Sequence, residues 1–163
     1  MTACTTTWHA ETGLLVTRLT GTVSAVEVTA WRDGLHAAIA GLPDGARFKL
    51  LYDLVGYEPA ELAAHKAMRE VVPRLLAAHG MRPAVTDLFD DAPEPEVTAT
   101  RGIRCAGFAN VHHDPAKMAR YEAEVGRPDQ RFFTDAAEAE RWLLGLAPTA
   151  HVRCRPQDDD GPA

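Results

Sequence analysis

Two short runs constrain the fold most: "RFKLLYDLVGY" (Arg47–Tyr57) and "IRCAGFANV" (Ile103–Val111), whose centres are apolar or small almost throughout. A nearly unbroken apolar strand is what a sheet covered on both faces requires. A helical pattern follows each run. The first is "PAELAAHKAMREVVPRLLAAHG", with Pro59 near its start, Pro73 inside it and Gly80 at its end. Pro73 removes one backbone hydrogen bond and predicts a kink. The second is "DPAKMARYEAEVG", in which Asp114 reads as the N-cap, Pro115 as the first helical residue and Gly126 as the stop. Strand then helix, repeated, predicts parallel strands joined by right-handed crossovers.

The remaining elements extend this pattern. "CTTTWHAE" (Cys4–Glu11) and "LLVTRLTG" (Leu14–Gly21) are rich in β-formers and meet at Glu11-Thr12-Gly13, which predicts an antiparallel hairpin. Ser24 with Glu27 three residues later is a capping-box signature, and Val28, Trp31, Leu35, Ala38, Ile39 and Leu42 follow helical spacing behind it. "QRFFTD" predicts a fifth strand, and "DAAEAERWLLGL" a last helix with Ala139, Trp142, Leu143 and Leu146 on its apolar stripe. Residues 81–102 are acidic and proline-bearing and read as a surface loop, with a short turn over Val85–Phe89. The order is β-β-α-β-α-β-α-β-α, a mostly parallel mixed sheet with helices packed on it. It makes one α/β domain over residues 1–146, with a polar tail over 147–163.

Composition excludes several classes. The formal net charge of −6 leaves no basic stripe for nucleic acid and disfavours an anionic membrane surface. Apolar runs are too short to cross a bilayer, so no membrane insertion is expected, and the N-terminus shows no secretory signal. Cys4, Cys105 and Cys154 are widely spaced with no C-x-x-C, which fits a reducing cytoplasm better than a disulfide framework. No solenoid repeat is visible.

The element order, "LLYDLVGYE", and the ending "RFFTDAAEAERWL" resemble the STAS superfamily, in particular its SpoIIAA-like (STAS/SEC14-type) domains of uncharacterised bacterial proteins. The matching positions are Phe132, Phe133, Asp135 and Ala139–Leu143, with Val111–Tyr121 similar to a V-H-H-D…K-M…Y pattern. The resemblance implies the STAS fold over roughly residues 5–146. In anti-sigma-factor antagonists of that superfamily, a Ser or Thr after the third strand is phosphorylated. The corresponding stretch here, "DLVGYEPAE", contains neither, so the phospho-switch does not carry over. The scaffold alone does not fix function.

In such a sheet, ligand sites lie beyond the carboxyl ends of the parallel strands. That places Tyr52, Asp53, Tyr57, His112, His113 and Asp114 at one edge, with His65 about two turns into the second helix. Adjacent histidines on extended chain point to opposite faces. His113, nearer the loop, is expected to face the cleft and His112 to pack inward. Asp114 is most simply the cap, Asp53 a turn-capping aspartate, Trp8, Trp31 and Trp142 core anchors, and Cys105 an inert buried thiol.

Two readings follow. One is a regulatory or small-ligand-binding module that takes a small apolar molecule or a protein partner, with Tyr52, Tyr57, His65, His112 and His113 around the ligand. The alternative is a small enzyme using His113, His112 and Asp53 for acid–base chemistry on a metabolite. No cofactor is implied, and no metal, since no zinc-motif spacing is present. Assembly, a homodimer included, stays open.

Overall fold

A computed structural model describes residues 3–88 and 93–146. The predicted 147–163 tail and the centre of the acidic loop lie outside the described residues. The strands are β1 (Ala3–His9), β2 (Leu14–Val23), β3 (Arg47–Asp53), β4 (Tyr57–Pro59), β5 (Arg104–Val111) and β6 (Gln130–Phe133). The helices are α1 (Ala25–Ala40), α2 (Leu62–Ala78), α3 (Pro115–Val125) and α4 (Ala136–Gly145). Short 3-10 turns occur at Ala84–Leu88 and Thr100–Gly102.

The expected mixed, mostly parallel α/β sheet forms, in the order β1-β2-β3-β5-β6. β1 pairs antiparallel with β2, and β2, β3, β5 and β6 run parallel. Successive right-handed crossovers on one face move the chain in one direction across a sheet. The parallel strands therefore appear in chain order, with α1, α2 and α3 on the same face. α4 then covers the other face, where Leu14, Leu51, Ala109 and Val111 pack on Ala139 and Leu143.

The caps read from sequence are present. Ser24 and Glu27 close a reciprocal capping box on α1. The Asp114 carboxylate accepts the Lys117 N–H with Pro115 at the first position of α3, and Asp135 caps α4. Trp31 is buried and donates its Nε1–H to Thr17 Oγ1 (2.6 Å), while Trp8 and Trp142 are only partly buried at the core edges.

One expected strand divides. Arg47–Tyr57 is not a single strand: β3 stops at Asp53, whose Oδ1 accepts the Val55 N–H (3.0 Å). Gly56 then adopts φ +79°, a region open to glycine at little cost. The chain resumes as β4, which pairs parallel with Gly21–Val23 of β2. Pro59 accordingly belongs to β4, and α2 begins three residues later, with Pro73 inside it.

A second irregularity sets the site. Between β3 and β5 the pairing shifts from Phe48↔Cys105 to Lys49↔Gly107, a bulge at Ala106. It reverses the alternation of β5, so Cys105 and Phe108 both face α1 and α2. From there Phe108 and Asn110 face the α2/α3 side, and Ala109 and Val111 face α4. Gly107 points at α4: a Cβ there would meet Leu146 Cδ1 at 2.5 Å, so glycine lets α4 approach. Among the described residues, no helix is long and apolar enough to cross a membrane.

Candidate functional site

α2 and α3 pack on the same sheet face without closing on each other, and between them lies a cavity of about 240 Å³. Its floor is Tyr52 of β3, Phe108 and Asn110 of β5, and Gln130 of β6. One wall is the α2 stripe His65, Met68, Arg69, Val72, Pro73 and Leu76, which recurs at helical spacing. The other wall is Lys117, Met118 and Tyr121 of α3, and Leu54, Val85 and His112 complete the lining.

The floor is fixed by aromatic packing and hydrogen bonds. Tyr52 lies between Trp31 (centroids 5.8 Å apart, interplanar angle 13°) and Phe108 (6.4 Å, 28°). Its hydroxyl donates to Met68 Sδ at 2.7 Å, and burial raises it well above the ordinary phenol range. Gln130 is spent on the fold: its Oε1 accepts the Ala84 N–H (2.7 Å) and its Nε2 donates to the Arg82 carbonyl (2.8 Å). Tyr121 packs edge-on against Phe132, with the Lys117 ammonium 5.7 Å from its centroid. Asn110 Oδ1 is buried with no hydrogen-bond partner.

The histidine doublet is arranged differently from the expectation. His112 continues the alternation of Phe108 and Asn110, so it is His112 that lines the cavity. His113 is exposed and does not line it. The two rings do not diverge to opposite faces. They stack, with centroids 4.3 Å apart and planes 24° apart, because β5 ends at Val111 and the chain bends at His113. Each ring closes a turn: His112 Nδ1 accepts the Asp114 N–H (3.0 Å), and His113 Nδ1 accepts the Gly56 N–H (3.2 Å). An Nδ1 that accepts carries no proton, so the neutral rings hold theirs on Nε2. Burial, then Lys117 and the His113 ring, push the His112 pKa down to about 4, with Asp114 opposing.

The other expected site residues divide between two places. Tyr52 and His65 line the cavity, His65 from the first turn of α2 rather than the second because the helix starts late. Tyr57 is buried in the α1/α2 core with its hydroxyl unpartnered, and burial raises its pKa, with Cys4 and Glu61 adding to the rise. Asp53 lies on the opposite sheet face from Tyr52 by alternation. Its Oδ2 pairs with Arg18 Nε at 3.1 Å. Cys105 is buried, its thiol pushed up to about 12 by burial.

The lining residues not singled out from sequence include Arg69 and Asn110, while Lys117, Met118 and Tyr121 enter there only as positions of the V-H-H-D…K-M…Y resemblance, with no role attached. Helical spacing from His65 points to Arg69, and strand alternation from His112 points to Asn110. Lys117 belongs to the V-H-H-D…K-M…Y pattern, but nothing local in the sequence turns it toward the cavity. Burial is the leading cause that lowers the pKa of both His65 and Lys117, and Arg69 lowers both further. Among the described residues, no three His, Cys, Asp or Glu side chains gather as a metal site needs.

No family model matches the chain, and no curated protein sequence matches it. Among solved structures it is similar to an uncharacterized protein from the DUF3478 family with a SpoIIAA-like fold, from Shewanella loihica PV-4. The two share 14% identity over 87% of this chain and 93% of that one, with a TM-score of 0.49.

Proposed function

We propose that this protein is a small-ligand-binding module of a regulatory kind, which seats a compact and mostly apolar molecule between α2 and α3. Residues 1–146 form the working domain, placed in the cytoplasm. The cavity carries this reading: about 240 Å³, lined mostly by apolar and aromatic side chains, with the Asn110 and Gln130 amides in its floor and a few basic side chains in its walls. That mixture is characteristic of sites that hold small molecules. A protein partner would then sense occupancy through the β5–α3 turn, where His112, His113 and Asp114 join three segments.

The enzymatic alternative is less well supported because several of the groups expected to carry it are held in structural contacts. His112 Nδ1 holds a backbone N–H, the Tyr52 hydroxyl is tied to Met68, and Asp53 is paired with Arg18 across the sheet. A superfamily-type phospho-switch lacks its acceptor, since Asp53–Glu61 contains no Ser or Thr.

Thermal melts with a panel of aromatic and short alkyl compounds test the reading, run on the parent and on Val72→Phe, which fills the cavity from its α2 wall. Stabilisation of the parent that Val72→Phe loses is expected. Equal stabilisation of both proteins, or of neither, contradicts it.

A further inference from the structure

We infer that the ligand of this cavity is an anion, a carboxylate or phosphate monoester on an apolar body of one or two rings, with its charged end beside Lys117, His65 and Arg69. The inference rests on the cavity being a ligand site, as proposed above.

The first support is the charge pattern of the lining. The chain has 23 Asp and Glu against 17 Lys and Arg, so an arbitrary lining would include carboxylates. Among the described residues this one includes none: its nitrogen bases are His65, Arg69, His112 and Lys117. His65 and Arg69 are one turn apart on α2, and Lys117 faces them from α3. All three are close enough to matter electrostatically. After burial, Arg69 and then Lys117 push the His65 pKa down, and Arg69 also lowers that of Lys117. Asp114 pulls the other way on Lys117, but its carboxylate is spent on the α3 cap, accepting the Lys117 N–H.

The partly buried Lys117 ammonium loses hydration and is repelled by the exposed Arg69 guanidinium, and the same two charges hold His65 toward its neutral form. An anion among them relieves both costs through charge-assisted hydrogen bonds, which are stronger than neutral ones. His112, with Nδ1 occupied, has only its Nε2–H to offer, which is a donor. The size follows from the volume. A cavity of ~150 Å³ admits one benzene, and drug-sized ligands occupy upwards of ~300 Å³. At about 240 Å³, the space between Phe108, Met68 and Met118 suits one or two rings.

Isothermal titration of the full chain at neutral pH, with para-tert-butylbenzoate, para-tert-butylphenyl phosphate and the neutral para-tert-butylbenzamide, tests this. At least one anion should bind about tenfold more tightly than the amide, a margin of roughly 1.4 kcal/mol. Anion binding should also take up protons, seen as a dependence of the heat on buffer ionisation, because a bound anion raises the His65 and Lys117 pKa values. Lys117→Gln, with Arg69→Gln as the second variant, should narrow the preference. The stronger of the two anions identifies the head group. If the amide binds as tightly as both anions, the cavity reading stands and the anion inference fails. If none of the three binds, both fail.

Discussion

Replacing Phe108 with Ala tests the architecture at its most connected point. Phe108 is on β5, between β3 and β6, is 2% exposed, stacks on Tyr52 and forms part of the cavity floor. Truncating a fully buried Phe costs roughly 3–5 kcal/mol, from lost transfer energy and the void left behind. One side of the ring already borders empty space, so fewer contacts are lost there. The lower end, about 3 kcal/mol, is expected. For a chain of this size, that corresponds to a fall in Tm on the order of 6–12 °C. Urea unfolding, monitored by far-UV circular dichroism and by fluorescence, measures the change, with an unaltered m-value showing that the same surface is exposed. A loss below about 1 kcal/mol would mean that the ring is not buried in the floor, and that the bulge-shifted register of β5 is wrong.

Asp114→Ala removes the cap of α3 and should cost about 1 kcal/mol, read by thermal melting. If that variant melts with the parent yet no longer binds ligand, the carboxylate belongs to the site rather than to the helix. Stability should also depend on pH through His112. Its pKa falls from an ordinary 6.5 to about 4 on folding, so the unfolded chain takes up the proton first. The contribution is complete above about pH 6.5 and is lost as pH falls toward 4. Because the ring is partly solvated, the loss should be roughly 1 kcal/mol rather than the full linkage value. His65 and His79, also lowered chiefly by burial, tilt the curve in the same direction. His112→Asn, whose amide oxygen can take the Asp114 N–H, should flatten the slope in part; an unchanged slope would show that His112 is not held neutral.

Local chemistry made much of the fold legible before any coordinates. Ser24 with Glu27, Asp114 with Pro115, and the apolar run Ile103–Val111 each announce their structure through short-range rules and form as those rules predict, while Arg47–Tyr57 yields a strand only as far as Asp53. The site was less legible because it depends on long-range phase. Which face His112 takes is set by counting back along β5 to a bulge at Ala106, and the only local hint of that bulge is Gly107. The strand-alternation argument applied to His112 and His113 fails one residue past the strand, where the bend brings the rings together. Tyr57 separates from Tyr52 because the turn at Gly56 re-pairs the chain with β2. Lys117 reaches the cavity only through the rotation of α3 against α2, which no short stretch encodes.

The most direct test of the central claim is methyl NMR of the protein titrated with para-tert-butylbenzoate. The methyls of Met68, Val72, Leu76 and Met118, all lining the α2/α3 cavity, should shift and saturate together. Those of Leu14, Leu51 and Leu143, beneath α4 on the opposite face, should stay in place. Shifts centred under α4, or spread evenly without saturation, would contradict a ligand site between α2 and α3.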